Sequence, residues 1–198
     1  MDTELSDIKG HVVVVMAPMG SGKGTIIANT LKNHPDVYQT VSCTSRAMRP
    51  GEIDGHQYHF VTKEEFDHKI STGDFLEWAE FAGNKYGTLK SEILPKLAEG
   101  KLVLVEIELQ GVEQLLKLLP RDHMTITYIE AGGWEVLRAR AEARAPISEE
   151  ELSARHTRFL IEQSSKPMAD VIIDNSAGME TSFKQFDHVI EEAYKKCN

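Results

Sequence analysis

The chain contains 198 residues, of which 41% are apolar and 27% are charged, and its formal net charge at pH 7 is −9. This length predicts one domain, residues 1–198, with a core of its own and room for subdomains. Because a nucleic-acid surface needs clustered positive charge, the acidic balance argues against nucleic acid as the main partner.

Cysteine content and hydropathy indicate the compartment. Two cysteines, Cys43 and Cys197, are too few and too far apart for a disulfide or zinc framework, so we expect a reducing cytoplasm. The three residues that follow the initial methionine, Asp2, Thr3 and Glu4, are polar or acidic, unlike a signal peptide. Apolar runs stay well below the ~20 residues of a membrane span, so we expect no membrane partner.

The first predicted element is a strand that runs into a glycine-rich turn. Residues 12–16 are apolar and mostly β-branched, as in a strand buried on both faces, and a helix follows from Thr25 to Lys32. Glycines let consecutive backbone N–H groups surround an anion, and the start of a helix adds about half a positive charge. The sequence therefore predicts a loop that binds nucleotide phosphates through Ala17, Pro18, Met19, Gly20, Ser21, Gly22, Lys23, Gly24 and Thr25.

This loop departs in two places from the pattern G-x-x-x-x-G-K-[ST]. Ala17 holds the first glycine position, and Gly24 instead of Ser or Thr follows Lys23. An ordinary glycine-rich turn with a solvated lysine is therefore the alternative interpretation.

Residues 37–90 differ from the rest in their many polar and turn residues, and they predict a small inserted β-rich subdomain. Within it, Arg46 and Arg49 lie close in sequence to hydroxyl side chains and to Tyr58. Two guanidinium groups near a phenol are suited to binding a phosphomonoester. The alternatives are an irregular surface insertion and two solvated arginines.

The second half of the chain alternates between strand and helix patterns. Strands are predicted over residues 101–107, 124–129 and 170–173, and helices over 111–119, 134–143, 149–164 and 181–196, with Ser148 as the N-cap of the third helix. Strands separated by helices indicate an α/β fold with a parallel, doubly wound sheet.

Several of these segments resemble the guanylate kinase family, in collinear order from Lys9 to Glu192. Besides the phosphate loop, they are residues 42–60, 75–80, 84–88 and 106–111 and the arginines that follow residue 137. The resemblance implies a three-layer P-loop fold with a core (9–36, 99–138 and 164–198), a β-rich GMP-binding subdomain (37–90) and a helical lid (about 139–160).

The resemblance also implies roles for individual residues. Catalytic roles fall on Lys23, Arg46, Arg140, Arg144 and Arg155, and substrate contacts on Ser42, Arg46, Arg49, Tyr58, Glu77, Tyr86, Thr88 and Glu108. Mg²⁺ would accompany ATP, and Thr25 or water would contact the metal because Gly24 has no hydroxyl. Glu108 stands where the family usually has Asp, and its extra methylene is expected to alter the guanine contact.

The implied reaction is ATP + GMP ⇌ ADP + GDP, with dGMP as a further acceptor, in a monomer or homodimer. A carboxylate such as Glu77 can accept hydrogen bonds from N1–H and N2–H₂ of guanine, whereas adenine presents a bare N1 lone pair. Three alternatives stay open at this point: a non-catalytic binding module of the same fold, a kinase for another phosphorylated ribose compound, and an ATP-hydrolysing switch that uses Gln110.

Overall fold

The computed structural model describes residues 8–81, 83–143, 147–176 and 178–197. Its strands are β1 (His11–Met16), β2 (Tyr38–Gln39), β3 (Cys43–Thr44), β4 (His59–Phe60), β5 (Phe75–Phe81), β6 (Asn84–Leu89), β7 (Leu102–Glu106), β8 (Met124–Glu130) and β9 (Val171–Asp174). Its α-helices are α1 (Lys23–Asn33), α2 (Lys63–Thr72), α3 (Lys90–Ala98), α4 (Leu109–Leu118), α5 (Trp134–Glu142), α6 (Glu149–Ser164) and α7 (Met179–Tyr194). None of these helices is both long and apolar enough to cross a bilayer.

The larger sheet has five parallel strands in the order β2-β7-β1-β8-β9. Its central strand, β1, is buried along its whole length. Val12 and Val14 pack with residues of α3 and α4, and Val13 and Val15 pack with residues of α1 and α7. This alternation places helices on both faces of the sheet, which confirms the predicted three-layer α/β fold.

Parallel pairing brings the carboxyl ends of the strands to one edge of this sheet. Val15 lies opposite Glu106 of β7, and Met16 lies opposite Tyr128 of β8. The segments that leave β1, β7, β8 and β9 therefore meet at this edge, which is where ligands bind in open parallel sheets.

The second sheet is small and mixed, and it confirms the predicted β-rich insertion. Its strand order is β4-β3-β6-β5, with β3 and β4 parallel and the other two pairs antiparallel. It has its own core of Cys43, Phe66 and Phe75, in which the two phenyl rings stack at 4.3 Å. Helix α2 covers this core and begins with a capping box between Thr62 and Glu65.

The carboxylate of Glu92 on α3 joins the two sheets. It accepts hydrogen bonds from Tyr38 Oη at 2.9 Å and Val41 N at 3.2 Å, and it lies 3.1 Å from His59 Nε2. Tyr38 belongs to the larger sheet, His59 belongs to the smaller one, and Val41 lies between them in the chain. One side chain therefore fixes the point at which the insertion leaves the larger sheet.

Helices α5 and α6 form a third, smaller packing unit. Leu137 of α5 and Phe159 of α6 pack together with Ala131, and Trp134 packs against them. Ser148 caps α6, because its Oγ accepts a hydrogen bond from Glu151 N at 3.2 Å. This confirms the predicted N-cap.

Each element predicted by residue range is present within two residues of its expected ends. Strand β2 was not predicted. Tyr38 and Gln39 fall in the segment assigned to the insertion, yet they pair with Val103 and Leu104 of the larger sheet. The full division into core, insertion and lid stays a prediction.

Candidate active site

The turn between β1 and α1 forms a backbone cradle. Gly22 precedes α1 in the left-handed region, at φ 89°, and Gly20 has φ 84°. Within this described segment, α1 begins without a side-chain cap and without an acidic residue in its first turn. Its first N–H groups and its partial positive charge are therefore directed at whatever occupies the turn, as an anion site requires.

Asn175 supports the phosphate loop through a hydrogen bond, a role that the sequence analysis did not assign to it. Its buried side-chain Nδ2 donates to the carbonyl of Ser21 at 2.6 Å, and its Oδ1 accepts from Ser182 Oγ at 2.8 Å. A Cβ at Gly22 would lie 2.6 Å from this same Nδ2, so the loop can approach Asn175 only as glycine. The available signal was position, because Asn175 directly follows β9 at the carboxyl edge of the sheet.

Lys23, the first residue of α1, extends its side chain across the edge of the sheet. Its Nζ lies 3.3 Å from Glu106 Oε2 at the end of β7, and Glu106 also accepts a hydrogen bond from Gln39 Nε2 at 2.9 Å. The ammonium group is thus held near the loop by a carboxylate from the neighbouring strand.

A cleft of about 510 Å³ separates this edge from the small sheet. Many of the side chains assigned from sequence line it, namely Met19, Lys23, Ser42, Arg46, Arg49, Tyr58, Glu77, Tyr86 and Glu108. They come from segments up to 89 positions apart in the chain. The fold therefore brings Lys23, the residues predicted to bind the acceptor phosphate and the acids predicted to contact guanine into one cavity.

Arg46 forms the positive end of this cleft. Its guanidinium binds both oxygens of Glu52, at 3.1 and 2.8 Å, and lies 5.5 Å from the ring centres of Tyr58 and Phe60. The hydrogen bond from Arg46 lowers the pKa of Glu52. The ring of Tyr58 meets that of Tyr86 edge-on at 5.9 Å. Arg46 is thus oriented before any ligand arrives, while Arg49 is exposed beside it.

Glu77 forms the acidic end of the cleft. Its side chain is nearly buried, Oε1 accepts a hydrogen bond from Thr88 Oγ1 at 2.6 Å, and a Cβ at Gly111 would lie only 2.4 Å from Oε2. Burial, together with the charge of Glu108, raises the pKa of Glu77 to about 7, against the opposing effect of its hydrogen bonds with Thr88. Thr88, assigned to guanine from sequence, is fully buried behind Glu77 and orients its carboxylate.

A second cavity, of about 290 Å³, lies between the loop and helices α5 and α6. Arg140 and Arg155 line it, together with Met19 and Gly20 of the loop. Arg155 is paired with Glu151 at 2.7 Å. Met19 lines both cavities, so the loop separates two adjoining spaces. Arg144, the remaining predicted arginine, lies outside the described residues.

The other predicted loop residues occupy the turn and the first turn of α1. Pro18 and Ser21 are buried, Ala17 and Gly22 are half-buried, and Gly24 and Thr25 are exposed. The sequence analysis missed a further arginine, Arg158 of α6, which lines the larger cavity. The spacing of Arg158 from Glu162 resembles an ordinary surface ion pair, so only the tertiary contacts identify it.

A glycine-rich loop at the carboxyl end of a central parallel strand, facing an inserted sheet across a cleft, defines the class of nucleoside monophosphate kinases. Comparison with known proteins specifies the group within that class. The chain belongs to the guanylate kinase family, because the family model for guanylate kinase matches residues 9–193.

Individual relatives agree with this membership. The chain is 42% identical to a guanylate kinase of a Synechococcus species over 74% of its own length and 79% of the relative. It is 38% identical to a guanylate kinase of Trichormus variabilis over 87% and 86% of the two chains. The crystal structure of a guanylate kinase from Anaplasma phagocytophilum superimposes with a TM-score of 0.71 at 26% identity, covering 96% of this chain and 88% of the other.

Proposed function

We propose that this protein transfers the γ-phosphoryl group of ATP to GMP, and also to dGMP, to give ADP and GDP or dGDP. One observation carries the proposal: a single cleft has a buried carboxylate, Glu77, at one end and the Arg46 guanidinium at the other, with Lys23 on its wall. Relatives over most of the chain are named guanylate kinases, which supports it.

Glu77 selects the base in this proposal. Its carboxylate accepts from the N1–H and 2-amino groups of guanine, and Thr88 holds it in place from behind. Adenine would set an N1 lone pair against the same carboxylate and leave a buried charge unpaired. A site built on such hydrogen bonds discriminates by ~10⁴-fold or more. Ser42 and Glu108 complete the base contacts.

The positive end binds the acceptor phosphate. Arg46 and Arg49 supply guanidinium forks that match phosphate oxygens, and Tyr58 and Tyr86 supply phenolic donors. Arg46 exchanges part of its contact with Glu52 for the phosphate, so its planar orientation is retained on binding.

Phosphoryl transfer depends on positioning of the reactants and stabilisation of negative charge more than on a strong base. The reason is that the transferred group is loosely bonded and anionic in the transition state. Loop amides from Gly20 to Thr25 hold the donor phosphates, and Lys23 follows the negative charge as it develops. Arg140, Arg144 and Arg155 cover the transferring group and exclude water. Ala17, Pro18 and Met19 shape the loop.

The residues at this edge also fit Mg²⁺ held with ATP. The exposed Thr25 hydroxyl and the Glu106 carboxylate offer oxygen ligands, which Mg²⁺ prefers, and the phosphates would supply others. When bound, Mg²⁺ neutralises charge on the donor phosphates.

The proposal also covers the division of the chain into subdomains, the binding partners, the compartment and the oligomeric state. Residues 37–90 carry GMP, residues 139–160 close over ATP as a lid, and the core consists of residues 9–36, 99–138 and 164–198. The partners are ATP and GMP, with no role for nucleic acid or membrane, and the protein works in the cytoplasm as a monomer or homodimer. The net charge of −9 and the free thiols of Cys43 and Cys197 support this setting.

An ADP-release assay with ATP plus GMP, AMP, CMP or UMP tests the function. We expect rapid release with GMP and a GMP:AMP preference of ~10⁴ in kcat/KM. Lys23→Ala should lower kcat by roughly 10³-fold, as loss of a charged transition-state contact does. Lys32→Ala, an exposed lysine at the other end of α1, is the matched control and should retain full activity.

Other outcomes would support the alternatives. ATP binding without turnover on any acceptor would indicate a binding module, and turnover without an acceptor would indicate an ATP-hydrolysing switch. Turnover only on a different phosphorylated ribose compound would overturn the GMP assignment.

A further inference from the structure

Arg158 of α6 lies at the mouth of the cleft, where none of the proposed phosphate contacts uses it. Its guanidinium binds Glu108 Oε1 through one terminal nitrogen and Glu162 Oε1 through Nε at 2.6 Å. Its Cζ also lies 4.0 Å from the ring centre of Phe81 on β5. The side chain is 19% exposed, so these contacts hold it in one place.

These partners connect three parts of the molecule. Glu108 is the N-cap residue of α4 at the edge of the larger sheet, and Phe81 belongs to the small sheet. Glu162 lies on α6 and accepts a hydrogen bond from Met19 N of the phosphate loop at 3.2 Å through its second oxygen. Arg158 can therefore make all its contacts only when α6 is packed against both walls of the cleft.

The contact with Arg158 also fixes the free oxygen of Glu108. Arg158 occupies Oε1, so Oε2 can accept a hydrogen bond from a ligand in the cleft that Glu108 lines. Guanine has three N–H donors on the edge that faces acidic side chains, one on N1 and two on the 2-amino group. The carboxylate of Glu77 can accept from N1–H and one amino hydrogen, which leaves the other amino hydrogen for Glu108.

Two carboxylates beside one base repel each other, and a guanidinium offsets this repulsion. The charge of Glu108 adds to the effect of burial in raising the pKa of Glu77. The guanidinium of Arg158 pairs directly with Glu108 and offsets the charge of that carboxylate, because opposite charges in contact attract.

We propose that Arg158 is a specificity-determining positioning residue, which holds Glu108 in place to accept the 2-amino group of guanine. Helix α6 thereby sets the choice between purine monophosphates that carry this amino group and those that lack it. The inference rests on the proposed function and adds a residue that acts on the acceptor from the lid.

IMP is the discriminating probe, because it differs from GMP only in lacking the 2-amino group. Arg158→Ala should raise KM for GMP about 10- to 100-fold, the range for losing a hydrogen bond to a charged group, with kcat changed much less. KM for IMP should change less than about twofold. Arg158→Lys should recover part of the GMP:IMP preference, because lysine can bind Glu108 but cannot stack on Phe81.

Two comparisons make the test specific. In a Glu108→Ala background, adding Arg158→Ala should leave the GMP:IMP ratio unchanged, because the residue that Arg158 positions is gone. Arg138→Ala removes a similar arginine, which is paired with Glu142 on α5 at 2.9 Å and is not among the described residues that line the cleft, and it should leave the ratio unchanged. Equal changes in KM for GMP and IMP in Arg158→Ala, or a ratio within twofold of wild type, would overturn the proposal.

Calorimetric titration of GMP and IMP without ATP separates this inference from the proposed function. Wild-type protein that binds GMP in preference to IMP but phosphorylates neither would contradict the proposed function, and Arg158→Ala would still be judged by its effect on the binding ratio. Equal wild-type affinity for the two nucleotides would overturn the role of Arg158.

Discussion

At the scale of single residues, the site depends on side chains whose partners determine what they can bind. Glu77 is buried against Gly111 and accepts from Thr88, so its carboxylate has one fixed orientation. Arg46 is held flat between Glu52 and two aromatic rings. Sequence alone indicates Glu77 and Arg46 through neighbouring residues, but not the burial of Thr88, because burial of a hydroxyl is a tertiary property.

Glu77 should make GMP binding depend on pH near neutrality. Its pKa is raised to about 7 by burial, so lowering the pH from 8 to 6 protonates it and removes an acceptor that guanine needs. We expect the KM for GMP to rise about tenfold over this range, following the loss of the ionised fraction. Steady-state kinetics at fixed ionic strength measure this change.

Glu77→Gln is the matched control for this pH dependence, because it keeps the shape of the side chain and removes its titration. GMP has its own phosphate ionisation near pH 6, and that dependence should remain in the variant. Identical KM profiles for wild type and Glu77→Gln would contradict the assignment of the titrating group.

At the scale of elements, helices and strands were predicted correctly where apolar residues repeat at a regular spacing along the chain. They were not predicted where only pairing with a distant strand defines the element. The valine run of β1 and the apolar spacing of α7 give strand and helix periods that are visible in the sequence. Strand β2 has only two residues, and it forms because Tyr38 and Gln39 pair with residues of β7. Arg158 resembles a solvated helix charge until α4 and β5 are placed beside it.

The support that Asn175 gives to the phosphate loop leads to a prediction for the turn as an element. Asn175→Ala would leave the Ser21 carbonyl without its donor in a buried place, at a cost of about 1–3 kcal/mol in unfolding free energy. We also expect kcat to fall by roughly tenfold to a hundredfold, because a loop displaced by about 1 Å misaligns the donor phosphates.

Thermal unfolding and turnover together test this role of Asn175. Ser176→Ala is the control, since Ser176 is exposed and its hydroxyl donates a hydrogen bond to Asp174 Oδ1. Lower stability of Asn175→Ala with unchanged kcat would mean that Asn175 supports the fold without positioning the loop.

At the scale of the whole molecule, two buried groups at different sites change the free energy of unfolding in opposite directions as the pH falls. His11 is fully buried, bonds Thr125 through Nε2 at 2.8 Å, and has its pKa lowered to about 4 by burial and by the nearby charges of Lys196, His123 and Arg121, against an opposing effect of Asp170. Glu77 has its pKa raised to about 7. Below pH 6.5 the unfolded chain gains a proton at His11, whereas below pH 7 the folded chain gains one at Glu77.

The changes in unfolding free energy that come from protonation of His11 and of Glu77 should largely cancel between pH 6.5 and 4.5. Each amounts to at most about 3 kcal/mol, at 1.36 kcal/mol per pKa unit. Glu77→Gln should therefore be more stable than wild type at pH 8 and lose stability steeply as the pH falls. His11→Gln should instead gain stability relative to wild type under acid conditions.

Urea unfolding at pH 8.0, 6.5 and 5.0 measures both variants against wild type. Other carboxylates titrate in the same range and contribute equally to all three proteins, so the differences isolate His11 and Glu77. Parallel stability profiles for the three proteins would contradict these linkages.

The carboxylate of Glu92 has a mechanical consequence for substrate entry. Because it contacts Tyr38, Val41 and His59, the two sheets cannot separate at that point without breaking either its contact with His59 or its hydrogen bonds from Tyr38 and Val41. An opening of the cleft that keeps these contacts would swing the small sheet about this anchored corner, with the largest travel at the rim farthest from Glu92. Nucleotides would enter and leave from that rim, and the corner beside Glu92 would keep its width throughout the cycle.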